Sequence, residues 1–97
     1  MEEKIKKTKF SITDLLPTVL DIVVHHYVYD QSVAMNYDES VSIDSHDITA
    51  GQLVDTGSLV CGNILAEEIT DESITLTHGK ETRCLKLGEE WVIGPCV

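Results

Sequence analysis

The sequence predicts an all-β fold: one small domain whose antiparallel sheet curls into a barrel or sandwich of six or seven short strands. Three observations carry this. β-Branched residues crowd the stretch Val19–Tyr29, apolar and polar residues alternate through residues 33–44, and turn formers recur at roughly 8–12-residue spacing in the second half. Ninety-seven residues make a single domain, and 42% apolar residues suffice for a core. With only one Trp, three Tyr and one Phe, that core must be filled by Val, Ile and Leu.

Residues 1–9, MEEKIKKTK, form a Lys-rich leader, expected to be flexible or an edge strand, ahead of an acidic β domain over 10–97. Lysine on an exposed edge discourages sheet-to-sheet aggregation. A short helical turn over 13–17 is the one helical feature expected, with Thr13 as N-cap and Pro17 in its first turn. The next stretch, VLDIVVHHYVY, decides the fold class. Branched Cβ atoms lose rotamer freedom in a helix and suit a pleated surface. As a strand it places Leu20, Ile22, Val24, His26 and Val28 on one face. A helix through residues 15–28 is the competing reading.

Val33, Met35, Tyr37, Val41 and Ile43 then share one parity, opposite a polar or small set, with Asp38-Glu39-Ser40 as the expected bend. Residues 44–57 read as loop. Ser58–Ala66 reads as a strand with Gly62 inside it, and Thr70-Asp71-Glu72 as a turn. Ile74 and Leu76 alternate with threonines, and His78-Gly79-Lys80 closes a hairpin onto Thr82–Leu87. Gly88-Glu89-Glu90 turns into a last strand, Trp91–Ile93, which Gly94-Pro95 stops. The expected core face is Val33, Met35, Val41, Ile43, Ile74, Leu76, Leu85 and Leu87.

Charge restricts the partners. The formal net charge is −10, and the leader alone carries +2. From residue 10 onward fifteen carboxylates face only Lys80, Arg83 and Lys86. Direct binding to nucleic acid or to an anionic membrane rests on Lys and Arg neutralising phosphates, so neither is expected. The start lacks the apolar core of a secretory signal, and the most apolar window, residues 15–28, is too short to span a bilayer. Cys61, Cys84 and Cys96, an odd number widely spaced, read as reduced thiols of a cytoplasmic protein, with one disulfide and one free thiol as the alternative.

No constellation of chemical residues reaches a catalytic or metal pattern. Ser45-His46-Asp47 holds the three triad types, but consecutive side chains diverge and a triad must converge. Four histidines and three cysteines show no C-x-x-C, H-x-x-x-H or H-E-x-x-H spacing, and His25 and His26 alternate in a strand. Cys61 lies in an apolar run, Cys84 has Arg83 and Lys86 nearby, and Cys96 is next to last. Glu67-Glu68 and Glu89-Glu90 flank turns, where solvation is expected and the buried acid of a glycosidase is not. No cofactor, metal or catalytic residue is expected. The residues set aside as protein contacts are Tyr27, Tyr29, Tyr37 and Trp91, since Tyr and Trp concentrate at interface hot spots; a core place for Trp91 is the plainer reading.

The function expected is a non-catalytic β-domain that binds a protein partner or itself, most simply as a homodimer through an exposed β-edge or the aromatic face. The alternative is an acidic mimic of nucleic acid blocking a basic partner. That reading needs Asp38, Glu39, Asp44, Asp47, Glu67, Glu68 and Glu72 mostly on one face. A small-ligand or metal-binding domain is the third reading.

Overall fold

Alternation and branching resolve into antiparallel hairpins. The computed structural model describes residues 6–16, 19–57, 60 and 62–93. Within them lie β1 (Lys6–Leu16), β2 (Val19–Asp30), β3 (Met35–Asp44), β4 (Gln52–Leu53), β5 (Ile64–Ile69), β6 (Ser73–His78), β7 (Glu81–Lys86) and β8 (Glu90–Ile93), with a 3-10 turn at Ser45–Asp47. They form two four-stranded sheets, ordered β3-β2-β1-β8 and β4-β5-β6-β7, packed as an open sandwich.

The contested segment is a strand of 12 residues. Leu20, Ile22, Val24 and His26 are buried on one face and Val28 is half-buried. Phe10 pairs with Val24 and Ile12 with Ile22, so β1 supplies the matching apolar row. This pairing also removes the expected helical turn. Thr13 and Asp14 continue β1 opposite Asp21 and Leu20, because a long neighbouring strand offers ladder hydrogen bonds that an isolated turn lacks. Residue 17 lies outside the described residues.

The leader boundary falls inside β1. Thr8 pairs with both His26 and Ile93, and Lys9 with both His25 and Val92, so these two residues are interior to the sheet and not at its edge. Residues 1–5 lie outside the described residues. The bend expected at Asp38-Glu39-Ser40 is absent as well: all three pair in register along β2. Gly62 precedes β5 and does not interrupt it, taking φ +92°, a conformation that favours glycine.

The turns of the second sheet follow their residues. Thr70 donates its N–H to the Ser73 carbonyl at 2.9 Å, while its Oγ1 accepts from Glu72 and Ser73 N–H groups. Gly79-Lys80 joins β6 to β7, with Gly79 at φ +65° in the first central position, as a two-residue hairpin requires. After β7 the chain crosses to the other sheet. Gly88 donates to the Ile12 carbonyl at 2.8 Å, and Ile12 donates to the Glu89 carbonyl at 3.3 Å, lacing this corner to β1.

The core joins Phe10, Ile12, Leu20, Ile22, Val24 and Ile43 to Ile64, Ala66, Ile74, Leu76 and Leu85, with Ile48, Val54 and Trp91. Of the expected core face, Ile43, Ile74, Leu76 and Leu85 are buried and Val41 packs against the cluster. Val33, Met35 and Leu87 are not, at 51%, 51% and 49% exposed. Val33 falls in the Gln31–Ala34 turn and Leu87 in the corner after β7. Met35 has the correct parity but nothing above it. At about 3.3 Å per residue, the 6-residue strands β5–β7 cover roughly 20 Å, whereas β2 runs roughly 40 Å. The first sheet therefore extends past the second, and the molecule measures 45 × 28 × 20 Å.

Candidate protein-contact surface

The uncovered part of the first sheet is the far end of the β2–β3 hairpin. Residues 31–40 are all exposed, and β3 is a terminal strand of its sheet. In-register pairing sorts the tyrosines between two faces. Tyr27 and Tyr29 stand on the outer face, opposite Asp38 and Asn36. Tyr37, paired with Val28, stands on the other face beside Met35, where a longer second sheet would have covered it.

Tyr27 is held from both sides. The His25 ring stacks on it with centroids 5.9 Å apart and planes 9° from parallel, and Lys9 Nζ lies 5.9 Å from its centroid. His25 Nδ1 is 3.2 Å from Asp38 Oδ1, and Lys9 reaches Glu90 at 3.5 Å. Hydrogen bonding to the Tyr27 side chain raises the Lys9 pKa above its ordinary 10.5; desolvation opposes this and Glu90 adds to it. Lys9 is thus committed within its own chain. Tyr37 is 37% exposed with no such clamp among the described contacts.

Trp91 is no part of this surface. It is 3% exposed, its ring 5.8 Å from Phe10 at 41°, and the Arg83 guanidinium covers it at 5.6 Å. Its partner in β1 is Phe10, so register points it into the core. Of the four aromatic residues set aside from the sequence, only Tyr27, Tyr29 and Tyr37 lie outside the core. Val33 and Met35, from the set expected to be buried, are exposed at the same end of the hairpin. Strand lengths held the signal for these two, since long strands facing short ones leave a face bare.

Most of the remaining chemical candidates are engaged locally. Ser45-His46-Asp47 is the 3-10 turn, with Asp44 Oδ1 accepting the His46 N–H at 2.7 Å. His25 and His26 lie on opposite faces, and His26 Nδ1 is 2.9 Å from Thr8 Oγ1 in the interior. Cys84 is exposed and makes no disulfide among the described residues, in register with Thr75 on β6. Cys61 and Cys96 lie outside the described residues. Glu67 accepts the Thr77 hydroxyl at 2.9 Å, and Glu89 accepts the Lys86 N–H at 2.9 Å. Among the described residues no three His, Cys, Asp or Glu side chains converge as a metal site would require.

The acidic residues do not gather on one face. Asp38 and Asp44 project from the outer face of the first sheet, Glu39 has the opposite parity, and Glu67 and Glu68 belong to the second sheet. Among the described residues no helix is long and apolar enough to cross a membrane. No protein-family model, curated protein or solved structure matches the chain.

Proposed function

We propose that this chain is a non-catalytic β-domain acting through protein–protein contact, as an assembly or accessory module, with the free end of the β2–β3 hairpin as its contact surface. One observation carries the reading: Met35 and Tyr37 share an exposed face of β3, with exposed Val33 in the turn before them, where a terminal strand runs past the sheet that covers the rest. Apolar side chains beside open backbone hydrogen-bonding groups are what strand addition uses, with the ladder supplying affinity and alternate side chains specificity. The partner is another protein or a second copy of the chain. A reducing, cytoplasmic setting belongs to the same proposal and draws support from the exposed Cys84, which makes no disulfide among the described residues. Nucleic-acid mimicry draws less, since it needs carboxylates on one face and these are divided between both sheets.

The test is retention of partners from the native source on the immobilised chain at low and high salt, beside sedimentation of the free chain. The reading expects a partner or a self-association that Met35→Ser with Tyr37→Ser abolishes while the melting temperature holds. A chain that retains nothing and stays monomeric overturns it.

A further inference from the structure

Between Phe10 and Gly79 the sequence has no Lys or Arg, and every cation after the leader falls within Lys80–Lys86. The fold gives that arrangement a geometry. Lys80, Arg83 and Lys86 all lie on β7 or its turn, the terminal strand of the second sheet, where Glu81 is the one acid among them. β3, the terminal strand of the first sheet, carries Asp38, Glu39 and Asp44 and no cation. Both strands are exposed along most of their length. The Leu87–Glu89 corner joins β7 to β1 and β8, and β8 ends the first sheet on the side away from β3, so β3 and β7 border opposite sides of the sandwich.

Resting on the interaction reading above, we infer that the natural occupant of the β3 edge is the β7 edge of a second copy of this chain, joined head to tail. Charge on an edge strand ordinarily blocks unwanted pairing. Here the two guards have opposite sign. Two β3 edges meeting about a two-fold axis bring Asp38 and Glu39 of both copies together. Like charges directly across a ladder destabilise it, and opposite charges stabilise it. The β3 edge therefore rejects its own kind and admits the excess of cations on β7. Exposed apolar residues lie at both ends of the join, Met35 and Tyr37 beside β3 and Leu87 beside β7. A head-to-tail contact leaves one free edge of each kind on every pair, so growth continues into a ring or a filament and does not stop at the symmetric dimer expected from the sequence.

Salt alone does not decide the question, because it screens both the attraction between edges and the repulsion between bodies of net charge −10. Charge exchange does. Glu39→Lys, and separately Lys80→Glu with Lys86→Glu, change exposed side chains and leave every backbone ladder in place; melting temperatures check that the variants fold. Sedimentation of the full chain across concentration should show wild-type mass growing beyond a dimer. Each variant alone should associate about tenfold more weakly, the effect of a few exposed ion pairs. An equimolar mixture of the two should recover wild-type association. A wild-type monomer overturns the inference, and so does a mixture that stays as weak as its components. A mass that stops at the dimer and is strengthened by Glu39→Lys overturns it in favour of two-fold β3 pairing. Should the wild type be monomeric yet retain a partner through Met35 and Tyr37, only this inference falls and the interaction reading stands.

Discussion

Three single residues show how polar groups are accommodated in so small a core. His26 and Thr8 are 7% and 4% exposed, and satisfy each other at 2.9 Å. Removing one partner leaves the other buried and unpaired, which costs about 1–3 kcal/mol, whereas removing both costs much less. Thr8→Val should therefore destabilise by about that amount, and adding His26→Leu should recover part of it, as read by urea denaturation. Asp21 is 6% exposed, its Oδ1 has no hydrogen-bond partner among the described residues, and Asp44 stands directly opposite. Asp21→Asn removes one of two facing acidic side chains, and should raise stability by about 0.2–1 kcal/mol. Lys9 answers to pH. Its folded pKa lies above its ordinary 10.5, so its contribution is complete below that pH and lost as pH rises through the folded value. The melting-temperature difference between wild type and Lys9→Met should hold constant up to about pH 10 and shrink above it.

At the scale of elements, pairing overrides local preference wherever the two disagree. Thr13–Leu16 has helix-start chemistry and Asp38-Glu39-Ser40 has turn chemistry, yet both lie in strand because β2 is a long template beside them. Where no template competes, turn chemistry holds, as at Thr70–Glu72 and Gly79-Lys80. The β2–β3 turn is the exception: Ala34 takes φ +53°, where a Cβ is strained. Ala34→Gly should stabilise the domain by about 1 kcal/mol and tighten the hairpin end, seen as slower amide exchange in β3. No change in stability or exchange would show that the turn carries no strain.

At the scale of the molecule, sheet coverage separates stability from contact. Ile74 and Leu76 lie under the first sheet, and truncating either to Ala should cost about 2–5 kcal/mol. Met35 and Tyr37 lie past the second sheet, so Met35→Ser with Tyr37→Ser should move stability by no more than about 0.5 kcal/mol each. Equilibrium denaturation compares the two sets directly. A large loss from the distal pair would mean that this end of the sheet is covered and contributes to the core.

The all-β class, the face of β2 that turns inward, the β6–β7 hairpin and the core places of Ile43, Ile74, Leu76 and Leu85 were legible in the chain, because period two and turn residues are local properties. The acidic body and its few cations were legible for the same reason. Which alternating residues find something to pack against was not. Val41 and Met35 share a strand and a parity, yet Val41 packs against the core and Met35 stands half in water, since burial depends on how far an opposing sheet reaches. Trp91 entered the core through its register with Phe10, a partner some eighty residues away in the chain. That the acidic β3 and the cation-bearing β7 both end a sheet was likewise invisible, because strand order, not strand sequence, decides which strands are terminal. Parity determines which side of a strand a residue faces; only tertiary packing determines whether anything is there.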